Sequence, residues 1–288
     1  MARTGFLGVF LTLLLLRAAP AQAGRGATAG TIAGAIRSGS VEAIEAELER
    51  AEVLVCHACL QLVRPLVDHE DARVRRVAAW WLARRGLRPE LSLEMVTRLS
   101  QPDSRRARNA ADVLGEMRAW KSITPLGAAL NNPIFDAEAR AAMAHALGAI
   151  GDLDGLGALV TARDAAEAPV RAAALEAMRQ LRGFQDPGAA VSGLGDAALE
   201  VRVAAIETVA STRTAAASSP VANDVVSTLV HLLGNDPSPV VRKKAAWALG
   251  EIRAPAVTAG PALQRSASSD PDPFVRSLAN AALGKLAP

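Results

Sequence analysis

The amino-acid sequence predicts an all-α fold, a right-handed α-solenoid of about seven stacked antiparallel helix pairs. Three observations predict it. Half of the 288 residues are apolar but only 3% are aromatic, and Tyr is absent. Such a composition packs helices closely on small side chains, and Ala has the highest intrinsic helix propensity. A pattern centred on Arg75 then returns at steps of 31–40 residues down to the C-terminus, and periods of that length mark repeat architectures. Each copy carries a helix start, one apolar stripe and a helix stop, so one pair cannot bury its apolar face alone and must stack on others.

The N-terminal 23 residues read as a targeting segment. Arg3 supplies a positive region, Phe6–Leu16 an apolar run, and Ala21-Gln22-Ala23 a small-x-small cleavage signal. Eleven residues rising about 1.5 Å each fall short of a hydrocarbon core of about 30 Å. A cleaved signal peptide is therefore expected, giving an exported protein, periplasmic or secreted, with no membrane span after cleavage. Removing Arg3 and Arg17 with no acid takes the net charge from +3 to +1 (3 − 2). A near-neutral chain lacks the basic excess of nucleic-acid binders, and nucleic acid is not an expected partner.

Residues 24–40 read as a flexible lead-in, with Gly24, Gly26 and Gly30 and no apolar period; Thr31–Arg37 has the length for a short helix. The solenoid is expected over 41–288. Ser40 can cap a helix over about 41–52, its hydroxyl accepting from a free backbone N–H. Val53–Val67 is apolar at helical spacing, carries Cys56 and Cys59, and leads into Asp71–Gly86, the first full copy of the repeat.

The repeat columns hold in register. The Arg75 slot recurs as Ala107, Arg140, Arg171, Arg202, Arg242 and Arg276. The longest step, Arg202 to Arg242, contains an expected insertion loop at about 211–223, rich in Ser, Thr and Ala. Three residues after the slot come Ala78, Ala110, Met143, Ala174, Ala205, Ala245 and Ala279, and seven after it Leu82, Leu114, Leu147, Met178, Val209, Leu249 and Leu283. A separation of four puts both columns on one helical face. Four before the slot stand Asp71, Asp103, Asp136, Glu167, Ala198, Ser238 and Asp272, mostly residues whose side-chain oxygens cap helix N-termini. Pro239 and Pro273 follow, at a first helical position that needs no N–H. An apolar segment precedes each copy, so the unit is a pair of antiparallel helices.

This D-x-x-x-R-x-x-A-x-x-x-L-G spacing resembles HEAT repeats, in particular the short variant described in phycobilin lyases (PBS lyase HEAT-like repeats). The resemblance covers about Val53–Leu286. It implies that the Arg and Asp columns are structural, tying neighbouring helices and turns together. It leaves function open, because the family spans scaffolds, lyase subunits and hydroxylases. The hydroxylase branch holds iron through paired His-Glu dipeptides; here the only one is His69-Glu70, so that activity is not implied.

Cys56-His57-Ala58-Cys59 is the sharpest local motif. Two cysteines three apart lie near enough to bridge, and an exported protein favours oxidation. A structural disulfide, a redox-active pair with a lowered thiol pKa, and a metal or cofactor contact with His69 all stay open here. His145 and His231 stand in different repeats without acidic neighbours in sequence. There is no nucleophile elbow and no phosphate-cradling glycine loop, so no catalytic residues, no cofactor and no metal site are expected.

Five residues after the slot lies a column of another character: Trp80, Asp112, His145, Glu176, Glu207, Trp247 and Ala281. Polar and aromatic residues between two small buried columns describe a solvent-facing stripe on the second helix of each pair. The resemblance places such helices on the concave surface. Trp is enriched where binding energy concentrates, so Trp80, Asp112, His145, Glu176, Glu207 and Trp247 are the partner-binding candidates. Packing of Trp80 under the N-terminal helices, and of Trp247 against the insertion, is the alternative. Trp81 is expected in the core. The function expected is an exported, non-catalytic scaffold binding a protein or peptide on its concave face. The alternatives are a redox or cofactor-handling protein using Cys56 and Cys59, and a bilin-lyase-like subunit.

Overall fold

The computed structural model describes residues 26–54, 56–212 and 222–287. The expected signal peptide and most of the expected insertion lie outside these residues. Among the described residues the chain consists of helices joined by turns, with one isolated bridge between Pro255 and Ala287.

The stack begins one pair earlier than the repeat columns indicate. Helix α1 (Ala29–Ser38) starts with a reciprocal capping box: Thr31 N–H donates to Thr28 Oγ1 at 3.1 Å, and Thr28 N–H to Thr31 Oγ1 at 2.8 Å. Gly39 closes the helix at φ 68°. The segment 24–40 is therefore not a flexible lead-in from Ala29 onward. Two local caps and the burial of Ile32 hold it in a helix. Helix α2 (Val41–Arg50) follows, with Ala43 N–H donating to Ser40 Oγ as expected.

The pairs then continue with α3 (His57–Val63) and its 3-10 extension Arg64–Asp68, α4 (Ala72–Leu82), α5 (Arg88–Arg98), α6 (Ser104–Glu116), α7 (Ile123–Leu130), α8 (Ala137–Ile150), α9 (Leu156–Ala162) and α10 (Ala168–Gln180). The C-terminal part comprises α11 (Val191–Leu194), α12 (Leu199–Ser211), α13 (Ala222–Asn235), α14 (Pro239–Glu251), α15 (Ala256–Ser269) and α16 (Pro273–Leu283). Odd-numbered helices come first in each pair and even-numbered ones second. Successive even helices pack directly along one another from α2 to α16, whereas the odd layer is in looser contact. The even helices thus form one continuous, closely packed layer, whose exposed side we call the inner face.

Small residues allow that close approach. Ala78, Ala110, Met143, Ala174, Ala205, Ala245 and Ala279 are all fully buried between neighbours. A Cβ placed on Gly115 would stand 2.9 Å from Ala146 Cα, and one on Gly148 the same distance from Ala177 Cα. The column seven after the Arg slot, Leu82 to Leu249, forms the continuous apolar seam. Each such side chain adds about 2 kcal/mol of burial.

The Arg column is a structural ladder. Arg171 pairs with Asp196 (Nε–Oδ2 2.8 Å, Nη2–Oδ1 2.9 Å), and Arg242 with Asp270 (2.8 and 3.0 Å). The remaining nitrogen, Nη1, donates to two carbonyls at the start of its own helix, Ala165 and Ala166 for Arg171, Asp236 and Pro237 for Arg242. Each guanidinium thus closes its own turn and the next repeat at once, using its planar fork of donors. Arg140 donates instead to Leu130 O and Glu167. The caps four before the slot form at Asp71, Asp103, Asp136 and Asp272. Ser238 makes no side-chain cap; Asp236 accepts Ser238 N–H at 2.8 Å and organises that turn instead.

Candidate partner-binding groove

The stripe five after the Arg slot lies on the inner face, and its members divide. Asp112 is not available to a partner: Arg75 grips its Oδ2 with both Nε and Nη2, because the second repeat lacks the Asp that serves this role further down. Glu207 is held between Arg179, at 3.4 Å, and Lys244. His145 Nδ1 lies 4.0 Å from Glu176, and both are about half exposed. The middle of the stripe is therefore paired repeat to repeat. Trp247 is half-buried against the core, with Lys244 Nζ 5.4 Å from its ring.

Trp80 stands apart. It is half-buried, with the Arg84 guanidinium stacked 4.1 Å from its ring centre. It lines an open cleft of about 660 Å³ with Glu45, Glu49, Glu52, Glu116, Arg73, Arg76 and Val77. The cleft spans α2, α4 and the end of α6, with four carboxylates against two guanidiniums. Arg73 is bound by Glu42 at 3.0 Å, a hydrogen bond that raises the Arg73 pKa. Arg84 holds Glu52 at 3.1 Å. Glu49 and Glu116 are exposed and have no cationic partner among the described residues. These acids were not among the sequence-derived candidates. Their signal was present, since Glu42, Glu45 and Glu49 recur at steps of three and four along one face of α2, with Glu52 in the turn just after it.

Trp81 is fully buried, as expected, its Nε1 donating to Ala51 O at 3.1 Å. Arg85 stacks over the Trp81 ring and donates to the carbonyls of Ala51, Glu52 and Leu54, tying the end of α2 to α4. Burial lowers the Arg85 pKa to about 10.

Cys56 and Cys59 form a disulfide with a Cα–Cα distance of 5.2 Å. Cys56 caps α3, its sulfur accepting Cys59 N–H at 3.1 Å, and Cys59 is fully buried. His69 Nδ1 accepts Asp71 N–H at 3.0 Å and is committed to that turn.

Paired helices, the Arg ladder and a continuous apolar seam define an α-solenoid repeat protein. The chain belongs to the HEAT-repeat family, whose model, described as HEAT repeats, matches residues 92–179 and 189–284. Comparison with curated proteins yields no match. Among solved structures, importin beta is similar over 90% of this chain and 41% of its own, at 15% identity and TM-score 0.62. A designed armadillo repeat protein in complex with the peptide (KR)4 is similar over 67% of this chain and 98% of its own, at 23% identity and TM-score 0.53. These similarities concern the fold. Among the described residues no helix is long and apolar enough to cross a membrane.

Proposed function

We propose that this HEAT-repeat chain is an exported, non-catalytic scaffold that binds a protein or peptide partner on its inner face, with the Trp80 cleft as the principal contact. The observation that carries this reading is the half-buried Trp80 among four carboxylates, two of them, Glu49 and Glu116, without a cation. A rigid aromatic plate beside unpaired acids suits a Lys- or Arg-bearing segment, which gains both ring contact and charge-assisted hydrogen bonds. A solenoid offers such a segment an extended concave surface, and one similar solved solenoid is in complex with a (KR)4 peptide. Trp247, at the far end of the stripe, provides a second aromatic contact.

The test is recovery of a co-purifying partner from the exported fraction by the wild-type mature chain and by the Trp80→Ala/Trp247→Ala variant. Loss of at least about tenfold in recovery, at unchanged helix content, is expected for two hot-spot aromatics. Equal recovery by both chains overturns the inner-face reading.

A further inference from the structure

A second surface lies on the first-helix side of the stack, away from the inner stripe. Leu93 and Trp120 are 70% and 66% exposed, among the most exposed large apolar side chains of the described residues. They are not scattered. With Pro89 and Val96 they line one cleft of about 490 Å³ between α5 and the turn that leads into α7. Large apolar side chains gathered in one rimmed cleft mark an interaction site rather than chance exposure.

The turn is built rigidly. Ser122 is buried and its hydroxyl donates to Ala119 O at 2.6 Å, while Ala119 N–H reaches back to Leu114 O at 3.0 Å. Trp120 is thus presented on fixed backbone. Arg118 precedes it at φ 47°. The positions eleven after the Arg slot in the first and third repeats are Gly86 and Gly151, at φ 76° and 74°. The left-handed conformation there suits Gly and strains any residue with a Cβ. Arg253 holds the same position in the sixth repeat at φ 50°, so the left-handed residue belongs to the helix exit of the repeat, and at Arg118 it carries a guanidinium to the rim of this cleft.

The rim is cationic throughout. Arg88, Arg118 and Lys121 border the cleft, and no acid lines it. The acids of α5 are engaged elsewhere, Glu90 by Arg64 and Glu94 by Arg64 and Arg98. Neither Arg118 nor Lys121 has a carboxylate partner among the described residues; Lys121 only approaches the Trp120 ring, at 5.3 Å. We infer that this cleft is a second docking site, for an acidic peptide segment that carries one large apolar anchor. The anchor packs between Leu93 and Trp120, and flanking carboxylates pair with Arg118 and Lys121. The charge preference is opposite to that of the Trp80 cleft, so the two sites take different partners.

The test is selection of a random peptide library on the full mature chain, after discarding clones that also bind the Leu93→Ala/Trp120→Ala variant. Enrichment of Asp and Glu around Leu, Phe or Trp is expected. A synthetic peptide of that consensus should bind the double variant at least about tenfold more weakly, bind Arg118→Gly/Lys121→Gln more weakly, and bind Trp80→Ala unchanged. Arg118→Gly alone should raise the melting temperature while weakening the peptide, separating a functional Arg from a structural one. The inference is overturned by enrichment of basic peptides, by the absence of clones that depend on Leu93 and Trp120, or by unaltered binding in Arg118→Gly/Lys121→Gln. Retention of the chain on phosphatidylglycerol vesicles through Trp120, without peptide selection, also overturns it and identifies a lipid-facing surface instead.

Discussion

Arg202 and Asp236 face each other across a repeat boundary, with Arg202 Nε 2.8 Å from Asp236 Oδ2 and Nη2 3.2 Å from Oδ1. Asp236 Oδ1 also accepts Ser238 N–H, and its own carbonyl accepts Arg242 Nη1. One residue therefore closes a turn and joins two repeats. Truncating it leaves the Arg202 guanidinium almost buried and unpaired. Asp236→Ala is expected to cost about 3 kcal/mol, read as a lowered urea midpoint. A cost indistinguishable from that of an exposed surface Asp would show the ladder to be ornamental.

The ladder also sets the acid limit of stability. Asp196 and Asp270 are held below the ordinary carboxylate value of 3.8, chiefly by the hydrogen bonds from Arg171 and Arg242. A carboxylate with a depressed folded pKa contributes its stability fully above the unfolded value and loses it as pH falls through the folded one. Helix content should hold down to about pH 4 and fall below it. In Arg242→Met, Asp270 loses its largest depressing partner and acid unfolding should start at higher pH. Superimposable acid titrations by far-UV circular dichroism would contradict this.

The even helices approach so closely that a Cβ is excluded at two places. Gly148→Val must push Ala177 backbone or distort α8, at about 2–3 kcal/mol by the usual cost of overpacking. Gly157, with open space around it, is the control; Gly157→Ala should be neutral or slightly stabilising. Thermal denaturation of both variants checks the pair.

The Cys56–Cys59 bridge closes a loop with a sequence separation of only three, so it adds about 2 kcal/mol at most. With Cys59 fully buried, the native chain should resist alkylation and exchange with glutathione until it is reduced under unfolding conditions. Rapid exchange in the native state would support the redox alternative.

The repeat was legible because its chemistry is periodic: Arg, Ala and Leu at fixed offsets imply one face, one seam and one stack. The ladder was half legible. The partners of the arginines, Asp196, Asp236 and Asp270, stand six before the Arg slot of the following repeat, a column that exists only in the last three units. In the first unit the same work falls to Asp112, which the stripe had claimed as solvent-facing. The α1–α2 pair escaped the alignment because Ile44 occupies the place where an Arg would stand, and its buried side chain replaces the ladder with apolar packing. The Leu93–Trp120 cleft left no mark in the sequence, since exposed and buried apolar residues look alike until neighbours are placed.

The most direct measurement is site-specific photo-cross-linking of the captured partner, with a photoreactive residue introduced in turn at Trp80, at Trp247 and at Leu153. The first two lie on the even-helix face, and Leu153 is exposed on the turn that leads into α9. Cross-links from positions 80 and 247, with none from 153, are the predicted result. Cross-links of equal yield from all three, or from 153 alone, would contradict an inner-face binding role.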